Sequence, residues 1–415
     1  MHMTRPQIAV AAAFLLSAMV LSSLVPPATG CPFCSEPTLT LAEQYAKADA
    51  AVLVQWVSGE MGKSDKPGST TFEIVKAPRA PFDSIKPGRK IVLDRFRSGK
   101  KGDLALLMGS RLKGDVIEWG SPLDVTEASY EYIINAPSFD APPEKRLKYY
   151  CKYLEFPEEA VATDAFGEFG NAPFKDVRAV AKDMPRDKLR QWVGGENEPG
   201  GHRVPPMRIG VYGMMLGLCG DASDIPLMEK LIVKPAGADE FRLGIDGVIG
   251  GYLLLAGEKG LDVVEKSKIA DRKVPFSETY AAMQALRFVW TYGNGVISED
   301  RLRASMRRLL DRPEIADLVI ADLARWKDWS LQDQLVKMYG TEGYDTPTLK
   351  RSIIRYMIAS TKDVPGGGGQ PVPEYVTNGS KYLEQLRNRD PKMVSEAERL
   401  LFVRFRNLSR THYVP

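Results

Sequence analysis

The sequence predicts a mainly α-helical, multidomain chain in which a small β-barrel precedes a stack of helix pairs. Three observations carry that reading. Five short runs rich in β-branched and aromatic residues fall between residues 50 and 120, separated by Gly, Pro, Lys or Asp. From Glu144 onward, apolar residues recur at helical spacing nearly to the end. Gly220, Gly257 and Gly293 close three apolar helices and stand 37 and 36 residues apart, the length of one helix-pair repeat.

The first thirty residues are of another kind. "MHMTRPQ" carries Arg5 and no acid, Ile8 to Val25 is uncharged and apolar, and "PPATG" follows. This is the layout of a secretory signal over residues 1–30, with Ala28 and Gly30 before a cleavage site at Cys31. An uncleaved anchor is the alternative, because eighteen apolar residues just span a bilayer. Export to the periplasm, cell envelope or extracellular space is the expectation. Gly30-Cys31 resembles the junction of a bacterial lipoprotein signal, although Ala28 stands where that family has an aliphatic residue. The resemblance implies a lipid on Cys31 and attachment to a membrane through it.

An exported chain commonly closes its cysteines as disulfides. "CPFC", Cys31 to Cys34, resembles the active-site tetrapeptide of thioredoxin-fold proteins, which implies a thiol–disulfide oxidoreductase. That chemistry needs a buried strand delivering the first Cys to a helix N-terminus, and a signal tail precedes Cys31 instead. Ser35 stands where c-type haem attachment needs His. Zinc would need two more ligands, and Cys151 and Cys219 lie far off in helical sequence. The expectation is therefore structural, a Cys31–Cys34 disulfide or one of the two bridged to Cys151. Cys219, in "YGMMLGLCG", reads as a buried thiol.

Residues 31–141 form the β-rich domain. A short helix signal spans Thr40–Ala48, followed by strands over Ala50–Ser58, Thr70–Ala77, Lys90–Phe96, Asp103–Ser110 and Asp115–Gly120. "ASYEYIINAP" adds an edge strand before a Pro-rich boundary near residue 142. A Cys-containing start, a short helix and a strand following Ala48-Asp49 resemble the OB-like barrel of netrin-type and metalloproteinase-inhibitor domains. The likeness spans residues 31–135, with CxxC in place of the inhibitors' CxC and without their later cysteines. It implies a protease inhibitor that caps a catalytic zinc with the α-amine and carbonyl of Cys31.

Helical repeats occupy residues 142–363. Ala282, Met283, Leu286, Val289 and Trp290 share one helix face. Leu302, Met306, Leu309 and Leu310 repeat the stripe, as do Ile315, Leu318, Val319 and Leu323, then Leu349, Ile353, Ile354 and Met357. Pro313 and Pro347 suit the first helical position and Thr346 an N-cap. Each unit runs apolar helix, Gly, short turn, amphipathic helix, and the glycines can take the left-handed conformation that stops a helix. Residues 364–373, "VPGGGGQPVP", form a Gly/Pro-rich insertion before terminal helices over 374–410. The turn at Asp390-Pro391 followed by a second helix resembles HEAT repeats, which implies a right-handed α-solenoid.

Chemistry is sparse. With 44% hydrophobic residues, 26% charged and a formal charge of +3, the chain has no broad field for a polyanion, so nucleic acid is an unfavoured partner. Of three histidines only His202 lies in the body, and no nucleophile triad, zinc-protease motif or phosphate loop occurs. Asp164 and Glu168 are a carboxylate pair at i,i+4, read chiefly as the solvated or ion-paired flank of a repeat. Arg301, Arg303, Arg307, Arg308 and Arg312 make a basic helix, read as a solvated face that could hold an acidic partner. Trp326 and Trp329 in "RWKDWS" are inter-repeat packing or an aromatic platform for a sugar or peptide. Arg303, Arg307, Trp326 and Trp329 are the candidate partner surface. No catalytic residue, metal or cofactor is expected; the expected function is an exported, non-enzymatic scaffold for protein or peptide partners.

Overall fold

A computed structural model describes residues 39–63, 67–195, 203–235, 237, 241–365 and 371–408. The segment read as a signal, Cys31, Cys34, His202, His412 and the centre of the Gly/Pro-rich insertion lie outside them. The described chain divides at Pro185/Arg186 into two compact units, so the change of period near residue 142 falls inside the first.

The first unit opens with α1 (Leu41–Lys47), started by a reciprocal cap in which Thr40 Oγ1 accepts Glu43 N at 3.3 Å and Glu43 Oε2 accepts Thr40 N at 2.9 Å. Six antiparallel strands follow: β1 (Ala50–Glu60), β2 (Ser69–Arg79), β3 (Lys90–Leu93), β4 (Leu104–Arg111), β5 (Ile117–Trp119) and β6 (Leu123–Asp124). Their order is β3-β2-β1-β4-β5, with β6 also on β4. Thr70, Phe72 and Ile74 alternate inward along β2 and meet Val52, Val54, Leu93, Ala105 and Leu107 in the core. Register shifts in the β1–β2 pair bend the sheet, a device that curls an open sheet towards closure. Two arginines then nearly close it. The chain leaves β3 after Leu93, earlier than the expected Phe96, and Arg95 donates to Gly120 O while Arg97 donates to Pro122 O at 2.6 Å and pairs with Asp124.

The expected edge strand in "ASYEYIINAP" is a helix, α2 (Glu127–Ile134). Thr126 and Ser129 cap each other's backbone N–H at 2.9 and 3.2 Å, and Tyr130, Tyr132 and Ile133 are buried at helical spacing. A good cap and a tertiary face outweigh the strand preference of Tyr and Ile. Helices α3 (Pro143–Tyr150), α4 (Glu159–Asn171) and α5 (Phe174–Ala179) complete the unit. Tyr132, Tyr149, Tyr150 and Tyr153 cluster among them, with ring centroids 4.8 to 6.0 Å apart.

Among the described residues the elements of the second unit are helices: α6 (Arg186–Gly194), α7 (Pro206–Cys219), α8 (Ile225–Val233), α9 (Ile245–Val264) and α10 (Phe276–Tyr292) come first. After them come α11 (Glu299–Arg308), α12 (Ala316–Arg325), α13 (Gln332–Met338), α14 (Pro347–Lys362), α15 (Glu374–Arg389) and α16 (Pro391–Leu408). Packing is between near neighbours in sequence: α7 on α9, α9 on α10, α12 on α14, α14 on α15. The apolar stripes read from the sequence face inward, and Thr346 caps α14 with Pro347 in its first turn. Pro313 instead precedes α12 by three residues, in a turn rather than at a first helical position.

The glycines behave differently from expectation. Of the three, only Gly257 has positive φ (φ 58°, ψ −140°), and it kinks α9; Gly220 is extended and Gly293 right-handed. The closest glycine packing lies within the helices. A Cβ on Gly213, Gly217, Gly247 or Gly251 would lie 2.0 to 2.6 Å from the backbone of the facing helix, so α7 and α9 touch main chain to main chain. Cys219 is half-buried rather than buried, its thiol pushed up to about 11 chiefly by burial. No helix among the described residues is long and apolar enough to cross a membrane.

Candidate functional site

The arginines read as a solvated face are stitches between helices. Arg301 donates from Nη1 and Nη2 to the two oxygens of Glu265, at 2.6 and 3.0 Å, and Arg308 reaches the same carboxylate at 2.7 Å. Arg312 is buried and bonded to Glu314 at 2.6 Å. Burial alone would disfavour an ionised Glu265; its arginines and Ser305 outweigh that and hold it below the usual carboxylate range. The same construction recurs along the unit. Arg186 pairs with Asp224, Arg242 with Glu278, Glu265 with Arg301, and Arg287 with Asp322, across 38, 36, 36 and 35 residues. Each acid is buried, and each pair spans about the 36 or 37 residues that separate Gly220, Gly257 and Gly293.

Of the candidate surface, Arg303, Arg307 and Trp329 line one open groove of about 610 Å³. Trp326 lies beneath it, stacked on Trp290 with ring centroids 4.2 Å apart and planes 8° apart. Arg303 clamps that stack: its guanidinium sits 4.9 Å from the Trp290 centroid and donates to Trp326 O at 2.9 and 3.1 Å. Trp326 is thus packing, and Arg303 reaches the groove from a fixed base.

The turn after α12 delivers the remaining groups. Asp328 N donates to Leu323 O and Lys327 N to Ala324 O, a helix stop that needs a left-handed residue between its helix and its exit. Lysine, not glycine, occupies that place: Lys327 has φ 55°. The turn aims Lys327 outward and Asp328 inward. Asp328 accepts from Arg307 Nε and Nη2 at 2.6 and 2.9 Å and from Ser330 Oγ at 2.7 Å. Burial opposes its charge, but Arg307 and Ser330 keep the carboxyl below its ordinary range. Asp363 gathers Lys327 Nζ at 2.6 Å and Trp329 Nε1 at 2.7 Å, and both hold it ionised. Trp329 lies edge-on to Tyr356 and beside Tyr375, so one flank of the groove is aromatic. Its rim carries Asp300, Asp333 and Glu374, giving four carboxylates with Asp328 against three cations, Arg303, Arg307 and Lys327.

Lys327 and Asp328 were missed from sequence, although both stand inside "RWKDWS". The signal was the pair of charges between two tryptophans at a helix end. Tyr375 and Asn378 arrive from α15, beyond the insertion, and nothing local in the sequence points to them.

Of the carboxylate pair read as a solvated or ion-paired flank, Glu168 is ion-paired and Asp164 is hydrogen-bonded, and neither is exposed. Asp164 accepts Tyr132 Oη and Leu41 N, each at 2.7 Å, and Glu168 accepts Arg146 Nη2 at 2.6 Å. Burial raises both above the usual carboxylate range. Among the described residues no three His, Cys, Asp or Glu side chains converge to hold a metal ion. The chain matches no protein-family model, and no curated protein sequence is significantly similar to it.

Proposed function

We propose that the chain is an exported, non-enzymatic binding protein that takes a peptide or an exposed protein segment into the groove around Arg303, Arg307, Lys327 and Trp329. The observation that carries this reading is the convergence of three of the four candidate residues on one open, mixed-charge groove with an aromatic flank. Near-balanced charge suits a polypeptide, whose backbone and side chains offer both donors and acceptors, over a polyanion. Trp, Tyr and Arg are the side chains that most often carry interface energy.

The architectural reading is a HEAT-like, right-handed α-solenoid preceded by an OB-like barrel. It is supported by four ion pairs that each span 35 to 38 residues. The apolar run Ile8–Val25 supports export, with Cys31 and Cys34 closing a disulfide at the start of the mature chain.

A random peptide library selected on the purified chain tests the function. Selected peptides should bind saturably and lose affinity by about tenfold when Lys327→Glu reverses a rim charge or Asn378→Arg crowds the groove. Selection of no peptide, or of peptides indifferent to both substitutions, overturns the reading.

A further inference from the structure

The first unit contains a small, partly open pocket of about 130 Å³ between Thr40, the start of α3 and the turn joining α4 to α5. Phe139, Pro143, Leu147 and Ala172 give it apolar walls. Glu168 lines it with a side chain only 3% exposed. Its Oε2 holds Arg146 Nη2 at 2.6 Å, while Oε1 accepts no hydrogen bond. Arg146 packs on its other side against Phe139, its guanidinium 4.5 Å from the ring centroid, and its Nε likewise has no hydrogen-bond partner. Glu43 and Asp176 also line the cavity, making three carboxylates against one guanidinium.

A buried carboxylate oxygen without a donor costs about 1–3 kcal/mol, so the site favours whatever brings it one. Excess negative charge selects a cation, and apolar walls select one with a hydrocarbon body. The limited volume selects a small one. An ammonium head supplies three donors on a compact charge, which a planar guanidinium does not.

We propose that this cavity binds a small aliphatic primary ammonium ion, its head on Glu168 Oε1 and its chain against Phe139, Leu147 and Ala172. Arg146 is a positioning residue that holds Oε2 and leaves Oε1 to the ligand.

Calorimetric titration of the full chain with n-butylammonium, butyrate and 1-butanol tests this. The ammonium should bind saturably, and the anion and the alcohol should not. Glu168→Gln should weaken binding by at least about tenfold. Ala172→Leu fills the cavity without touching a charge and should abolish binding. Should Glu168→Gln fail to fold, Ala172→Leu and the rim substitution Asp176→Asn carry the test, the latter with about a threefold loss. Absence of saturable butylammonium uptake, equal uptake of butyrate or butanol, or unchanged binding in the folded Ala172→Leu chain each overturns the proposal. So does a crystal soaked with butylammonium that shows only water on Glu168 Oε1.

Discussion

In the first unit Asp164 and Glu168 share helix α4, and only Arg146 brings either of them a cation. In the second, Asp224 takes two arginines, Glu265 takes two, and Glu278 takes an arginine and a lysine. Burial works against the charge in both places, yet the outcomes oppose. Asp164 and Glu168 rise above the ordinary carboxylate range, while Asp224, Glu265 and Glu278 fall below it. Cation count alone does not settle the direction: burial is the largest single influence on Asp224, Glu265, Glu278 and Asp322 alike, and Asp322, with Arg287 and Arg325 beside it, is still raised. What separates the units is how many well-held donors face each acid, weighed against how deeply it sits.

Neutralising one acid in each unit gives the largest contrast. Glu278→Gln leaves Arg242 and Lys268 facing each other in a buried site and should cost about 3 kcal/mol. Asp164→Asn keeps an acceptor for Leu41 N and lets the Tyr132 hydroxyl turn, so it should cost under about 1 kcal/mol. Urea unfolding of the two variants measures both, and equal losses would break the comparison.

Acid gives a smaller effect with opposite signs. The depressed acids of the second unit lend stability that is complete above the unfolded carboxylate value of about 4 and is lost as pH falls through their lower folded values. The raised pair in the first unit costs stability at neutral pH, and that cost is relieved as pH falls through their higher folded values towards 4. Between pH 7 and pH 3, transitions followed at Trp290, Trp326 and Trp329 should move to lower temperature more than those followed at Trp56 and Trp119. Single-tryptophan versions of the chain would report this.

The smallest effect tests backbone strain in the candidate groove. Lys327→Gly should be more stable than Lys327→Ala by about 1 kcal/mol, since both lose the bond to Asp363 and only glycine sheds the left-handed penalty. Glu155 in the first unit also has positive φ, at 51°, and the same pair of substitutions there should differ by as much.

Periodicity made much of the fold legible. Strands over 50–111 and stripes such as Leu349, Ile353, Ile354 and Met357 carry their own spacing, so alternation or helical recurrence identifies them. The run Ala128–Pro137 misled because Tyr and Ile favour strands while the deciding cap, Thr126 with Ser129, lies at its edge. Gly220, Gly257 and Gly293 were expected to stop helices in a left-handed conformation, and two of the three have negative φ. Arginine stitches escaped a reading made one helix at a time: each of the four acids stands 35 to 38 residues from its arginine. Arg303, Arg307 and Trp329 stood out by residue type, whereas Tyr375 joins them only through tertiary folding.

The glycine seam bears on motion. Helices whose main chains touch have no side-chain layer through which to slide, so α7 and the part of α9 before Gly257 should behave as a single rigid plank. Any flexing of the second unit would be displaced to the break at Gly257, and the amides of α7 should be among the last to exchange with deuterated solvent.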